Sequence, residues 1–437
     1  MVAVSRARQG AVAAVDDSGM VANATHPLCQ TPRVTEGRLG REQVRVASLV
    51  TIAIVVLNLC TYGFTIAAAH RLGPSEFGAV AALMGLLLVL NVAGLALQTT
   101  AARRVSQGGD EQDLRQHEVL GVALMLSPVI GIGCLVAAPL ITHVFHLHSW
   151  LTAPMVALAA WAQTLTLGQA GVLQGARRWR AVALVYATSG IGRLAGGVIG
   201  MWWHDTALGA MTGVAVGALA PIAVGALALR GRARPCRPAR YRREVLTELA
   251  HNSHALIAFL ALTNADVLVA RSALPAHPAG LYAGGLILVK AVLFLPQFVI
   301  VLAFPALASG GSTRRDSRRI GLALVGLLGV AVVAGTALLP GLAMIFVGGD
   351  EYAAVRPVLW QFAILGTALS VLQVLVYDIV AGQDHAFVGV LWAAVAGVAV
   401  SGFAVHGTES LLHWVLAVDV VATTLLLVLT GRRDAAR

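Results

Sequence analysis

The chain is 437 residues long, 58% hydrophobic and 12% charged, about half the charge of an ordinary soluble domain. So much apolar surface excludes a water-soluble globular protein and requires lipid as its solvent. The net charge of +10 does not indicate nucleic acid, because the basic residues are scattered among short loops instead of forming one solvated patch.

Residues 1–45 are polar, hold six arginines and lack a continuous apolar run. The segment does not resemble a cleavable signal peptide, and a disordered cytoplasmic tail is expected; a translation start at Met20 is the alternative reading. Twelve apolar runs follow, at 46–69, 77–101, 118–141, 151–174, 181–203, 206–229, 248–271, 280–308, 319–340, 354–381, 387–405 and 409–431. Each is close to the roughly 20 residues that a helix needs to cross a bilayer. The predicted fold class is an all-α integral membrane protein of about 12 transmembrane helices. The cut between 181–203 and 206–229 rests on little more than His204 and Asp205.

Charge tests this division. With the span-edge arginines Arg271, Arg319 and Arg356 counted with their adjoining loops, alternate loops and tails from the N-terminus hold 26 of the 31 basic residues; the intervening loops hold 3, and Arg193 and Lys290 lie inside spans. Under the positive-inside rule, both termini face the cytoplasm. The most basic loop, Arg230 to Arg243, falls midway. Segment 230–247 is therefore read as a linker between a six-helix bundle at 46–229 and a second at 248–431, with 432–437 as a cytoplasmic tail. A weak repeat supports the division: Gly78-Ala79-Val80-Ala81-Ala82 matches Gly280-Leu281-Tyr282-Ala283-Gly284 at an offset of 202. With an even number of crossings each, the bundles are related by a pseudo-two-fold axis along the membrane normal, with a substrate path between them.

Ionisable residues inside a span cost insertion energy and ordinarily face a cavity or a partner. Arg193 sits mid-span with Tyr186, Ser189, Gly196 and Gly200 near its face. Its guanidinium could grip a phosphate in bidentate fashion or form a structural ion pair. Lys290, the only lysine, shares a face with Phe294 and Gln297 and could hold an anion, exchange a proton or serve structure alone. Asp266 and Asp419, the latter with Thr423 one turn on, are either ion-coupling groups or neutralisers of Arg193 and Lys290. Asp378, near an interface, is expected to snorkel to water.

Uncharged polar residues extend the pattern. Thr51, Asn58, Thr61, Tyr62 and Thr65 form a stripe on the first span; Asn91 and Gln98 lie on the second, and Gln163, Thr166 and Gln174 on the fourth. Together they predict a polar cavity lined by Arg193, Lys290, Asn58, Tyr62, Asn91, Gln163, Tyr186 and Gln297. Glycines at 192, 196 and 200 and at 209, 213 and 217 give small-residue faces for close helix packing. His143, His146 and His148 could hold zinc, but without a partner acid or cysteine they are read as solvated interfacial histidines, and no metal site is expected. Cys29, Cys60, Cys134 and Cys236 show no paired spacing, so no disulfide is expected either.

Two stretches carry a resemblance. Arg71-Leu72-Gly73-Pro74-Ser75-Glu76-Phe77-Gly78, followed by an apolar helix ending at Arg103-Arg104, resembles the first-loop signature of bacterial oligosaccharide flippases of polysaccharide biosynthesis. These belong to the multidrug, oligosaccharidyl-lipid and polysaccharide exporter superfamily. Asn264-Ala265-Asp266 through Arg271, then Ala279-Gly280-Leu281-Tyr282-Ala283 and a helix through Phe294-Leu295-Pro296, is similar to the start of the family's second half. Gly348-Gly349-Asp350-Glu351-Tyr352 is similar to a third recurring segment. The likeness runs from about 46 to 431.

What the resemblance implies is a bacterial plasma-membrane transporter with alternating access to a central, often cationic, cavity. It would move an undecaprenyl-pyrophosphate-linked oligosaccharide from the inner to the outer leaflet and require no cofactor beyond a proton or sodium gradient. Membrane lipid and the glycan polymerase or glycosyltransferases of the same pathway are the implied partners. The two additional helices of lipid II flippases are missing, which argues against a dedicated cell-wall-precursor role. The alternatives are a small-molecule or multidrug exporter of the same superfamily, a membrane-embedded glycosyltransferase or polymerase, and a scaffold. The second would need a catalytic acid on a sizeable outer loop, and the outer loops in this reading are too short; the third leaves the intramembrane charges unexplained.

Overall fold

The computed structural model describes residues 36–108, 112–230, 254–294, 314–381, 388–405 and 407–435. The predicted linker, the C-terminal part of the eighth run with Gln297, Cys29, Cys236 and nearly all of the N-terminal tail lie outside the described residues. Contacts divide the chain into Met1–Val44 and Arg45–Arg437; the second unit carries the fold described below.

Every regular element described is helical. In chain order these are α1 (Glu36–Ser106), α2 (Gln112–Val144), α3 (Thr152–Gly175), α4 (Trp179–Trp203), α5 (Ala207–Gly217), α6 (Leu219–Leu229), α7 (His254–Ala273) and α8 (Ala276–Leu293). There follow α9 (Arg314–Leu338), α10 (Pro340–Val347), a 3-10 segment (Gly349–Val358), α11 (Leu359–Ala381), α12 (Val388–Ala404) and α13 (Thr408–Ala435). Among the described residues nine helical stretches are long and apolar enough to cross a membrane. Ser48–Ser106, at 59 residues, is long enough to cross twice; with α7 and the shorter α12 the crossings number twelve. The chain is a multi-pass helical membrane protein.

The observed elements refine the expected boundaries. The first two runs form one long element because Gly73, at φ 66°, reverses the chain direction with hardly a loop, and Pro74 starts the next helix. The sixth run is not one helix: it breaks at Ala218 into α5 and α6. The doubtful cut at His204 holds, since the Thr206 side chain caps α5 by accepting a hydrogen bond from the Gly209 N–H. The segment before the tenth span, read as loop, contains α10 and the 3-10 turn; Gly348 and Gly349 both have positive φ between them.

Helices α2 to α6 pack among themselves, as do α7 to α13. Helix α1 touches both groups: Gly63 faces Leu194 of α4 and Gly94 faces Leu167 of α3, whereas Gly78 meets Gly280 of α8 and Gly85 meets Val267 of α7. The predicted glycine faces mesh residue by residue between α4 and α5. Gly192 lies on Gly217, Gly196 on Gly213 and Gly200 on Gly209, with backbone oxygens where side chains would stand. Between membrane helices this close approach replaces the hydrophobic drive that lipid cannot supply.

A Cβ at Gly213 would lie 1.9 Å from the carbonyl oxygen of Gly196, and neither backbone can yield cheaply. Gly213→Val should therefore destabilise the α4–α5 pair by about 1–3 kcal/mol or more, lowering the thermal midpoint of the detergent-solubilised protein. An unchanged midpoint would mean the seam is looser than described.

Candidate functional site

Mid-depth in the bundle, a cavity of about 390 Å³ is bounded by residues of α1, α3, α4, α5, α6, α7, α8 and α11. Its polar lining includes Asn58, Thr61, Thr65 and Asn91 from α1, Gln163 and Thr166 from α3, and Tyr186, Ser189 and Arg193 from α4. The other wall contributes Thr263 and Asn264 from α7, Lys290 from α8 and Gln373 from α11. Six of the eight residues expected to form a polar cavity, Asn58, Asn91, Gln163, Tyr186, Arg193 and Lys290, are thus brought together. Gln297 lies outside the described residues. Tyr62 departs from expectation: its hydroxyl donates to the Ile287 carbonyl at 3.3 Å, and its ring stands edge-on to Phe294. It sits on the same helix stripe as Asn58 and Thr65 but is turned into the α1–α8 contact.

The two cations are held differently from a structural ion pair. Arg193 makes one hydrogen bond, from Nη1 to the Thr61 hydroxyl at 3.3 Å, and neither it nor Lys290 forms an ion pair with a described residue. Both are half-buried and line the cavity, whose described lining contains no carboxylate. On α4, Tyr186 stands two turns before Arg193 and receives hydrogen bonds from the amides of Gln98 at 2.5 Å and Gln174 at 2.9 Å. With its oxygen occupied as an acceptor, the phenol is left to donate.

Asp266 and Asp419 lie behind this wall. Asp266 is 3% exposed and Asp419 1% exposed. The Asp266 carboxylate accepts from the Val267 N–H at 2.7 Å and from the Tyr282 hydroxyl at 3.4 Å. Asp266 interacts electrostatically with both Lys290 and Asp419, and one oxygen of Asp419 has no hydrogen-bond partner. They thus form a buried acidic group next to, but not in contact with, the cavity's lysine.

Other expectations are corrected. Asp378 does not snorkel to water; it is paired with Arg318 at 3.1 Å, both side chains mostly buried. His148 does have an acid beside it, Glu76 at 2.6 Å, supplied by the turn after Gly73. No group of three or more metal-holding side chains occurs among the described residues. Asn264 and Gln373, both buried with an amide oxygen unpaired, belong to the lining yet were not singled out as cavity residues; an amide inside an apolar run was the available signal.

No family model matches the sequence, and no curated protein is significantly similar to it. Solved structures do share the fold. A lipid II flippase, MurJ, in an inward closed conformation superposes with TM-score 0.71 at 10% identity, over 88% of this chain and 87% of that one. A multidrug-resistance MATE family transporter of the MOP superfamily, inward-facing, gives TM-score 0.64 at 13% identity, over 88% and 98% of the respective chains. A MOP superfamily transporter from Pyrococcus furiosus, noted for reverse polarity of its binding pocket, gives TM-score 0.56 at 14% identity, over 90% and 95%. The chain therefore has the two-lobed fold of MOP superfamily transporters, and the solved proteins that share it here are transporters and flippases.

If Arg193 serves a ligand and not the fold, removing its charge relieves a desolvation cost without breaking a pair. Arg193→Met should leave the thermal midpoint unchanged or raise it. A fall of several degrees would assign the guanidinium to structure.

Proposed function

We propose that this protein is an alternating-access transporter that flips an undecaprenyl-pyrophosphate-linked oligosaccharide from the inner to the outer leaflet of a bacterial plasma membrane. The observation that carries this reading is the cavity itself, where an arginine and a lysine face a space lined by amides and hydroxyls with no described carboxylate. An arginine fork suits a phosphate in bidentate geometry and a lysine suits it as a point charge. The amides and hydroxyls suit the sugars. A cationic drug would meet like charge in the same place.

In this reading residues 46–229 and 248–431 rock against each other, and Asp266 and Asp419 take up the proton or sodium ion that resets the cycle. The distribution of arginine puts both termini in the cytoplasm and the Gly73 turn outside. The polymerase or glycosyltransferases that make and consume the glycan are the expected partners. A second reading has support from size: about 390 Å³ is ample for a small molecule, and multidrug transport is named for one of the proteins sharing the fold. Export of a small molecule is the alternative.

Reconstituted vesicles separate the two. Protein supplied with an undecaprenyl-pyrophosphate-linked oligosaccharide should expose it on the opposite leaflet, and Arg193→Ala or Lys290→Ala should each cut that rate about 10- to 100-fold, the loss expected for a charged hydrogen bond, with insertion intact. Efflux of cationic dyes without glycan flipping, or normal flipping by both variants, would overturn the proposal.

A further inference from the structure

At the Gly73 end of the bundle, opposite Arg45 along the first span, the helices that diverge around the cavity close tightly. Gly78 and Gly280 bring α1 and α8 into backbone contact; a Cβ on Gly280 would fall 1.7 Å from the Pro74 carbonyl oxygen. The Tyr352 hydroxyl donates to the Ala69 carbonyl at 3.4 Å. Between this closure and the cavity remains a void of only about 30 Å³, and Thr65, Met84 and Lys290 line both spaces.

The least expected member of the closure is Arg271, in the last turn of α7 and 1% exposed. It makes no ion pair with a described residue; Glu76 acts on it electrostatically without salt-bridge contact. Its guanidinium is satisfied by main-chain oxygens alone. Nε donates to Phe145 at 2.8 Å, Nη1 to Ser75 at 3.1 Å and Ala276 at 3.5 Å, and Nη2 to His146 at 3.3 Å. Phe145 and His146 directly follow α2, where carbonyls lack intrahelical partners and the helix dipole presents its negative end. His146 adopts φ 48°, so the chain turns there in a conformation that offers successive carbonyls to the guanidinium. Arg271 thus binds, from α7, the turn that follows a helix packed with the other group. Three of its four bonds join α7 to α1 or to the segment after α2.

Apart from the single hydrogen bond of Tyr352 to Ala69, the other contacts named in the closure are steric fits. This one is a set of hydrogen bonds at the membrane edge, where water can replace each partner once the helices part. We propose that Arg271 is the latch of the outer closure: its bonds to the Phe145, His146 and Ser75 carbonyls exist while this end is shut, and their release lets the cavity open outward. The proposal rests on the alternating-access reading and its orientation, but not on the identity of the cargo.

The test is thiol accessibility in sealed vesicles of known protein orientation, using the full chain with Cys29, Cys60, Cys134 and Cys236 replaced by Ser and Thr65→Cys as reporter. A membrane-impermeant maleimide is applied from either side. The parent should react slowly from the outer face. Arg271→Met should raise that rate about tenfold or more and lower the rate from the inner face, as a shift between two populations requires; Arg271→Lys, which reaches fewer carbonyls, should fall between. Rates in a folded, monodisperse Arg271→Met protein equal to the parent's, or increases from both faces together, would overturn the latch. Recovery of neither variant as folded protein would overturn it too, since a latch is dispensable for folding. Glycan flipping lost or absent with the labelling response intact would remove the substrate reading and leave the latch standing.

Discussion

A bilayer interior offers charge no water, and that constraint governs this molecule. Arg193 and Lys290 stay within spans without a contacting acid among the described residues, so whatever solvates them has to be supplied by the inward faces of the surrounding helices. Asn58, Thr61 and Thr65 on α1, Ser189 on α4 and Gln373 on α11 all turn toward the same space. A helix that presents polar atoms inward has its other face free for lipid or for close packing. On α4 the adjoining stripe of Gly192, Gly196 and Gly200 lets α5 approach to backbone distance, while Arg193 lines the cavity.

The same economy of side chain produces an asymmetry along the membrane normal. At the Gly73 end small residues bring main chains together: Gly78 on Gly280, and Gly284 and Gly348 beneath the Tyr352 ring. Further along the spans the facing residues become Asn58, Gln163 and Lys290, too large and too polar to mesh, and the helices stand apart around the cavity. A compact end beside a polar-lined cavity is therefore written in residue size as much as in charge. The closure is a seam with little void, so a modest separation there would change access without disturbing how each group of helices packs internally.

The crossings were legible in the sequence because apolar length and the placement of arginine are one-dimensional properties. Glycine spacing was legible for the same reason, and the i, i+3, i+4 and i+7 rule recovered most of the cavity's polar face. What escaped depends on which neighbour a face meets. Tyr62 shares the stripe of Asn58 and Thr65, yet a few tens of degrees of helix rotation turn it onto Ile287. Asp378 and Arg318, sixty residues apart, give no local sign of pairing. The break at Ala218 and the short helix Pro340–Val347 are too brief to alter a hydropathy run. Arg271 read as a loop cation because the carbonyls that bury it come from Ser75, Phe145 and His146, over a hundred residues away in sequence.

Lys290 connects the two ionic systems. It lines the cavity, and its charge acts on Asp266, which in turn acts on Asp419. Any anion that settles beside Lys290 from the cavity side therefore competes with Asp266 for the same positive charge. In the proposed reading, a cation or proton that neutralises Asp266 removes a negative charge that acts on Lys290 from behind the cavity wall. Such coupling is reciprocal by thermodynamic necessity: if charging the acidic pair alters affinity for cargo, cargo alters the affinity of the acidic pair for its ion by the same factor. A lysine suits this position better than an arginine, because its point charge on a flexible stem can answer to either side, whereas the forked guanidinium of Arg193 is suited to gripping one partner. In the proposed reading the division of labour follows from that difference, with Arg193 as the grip and Lys290 as the link between cargo and driving ion.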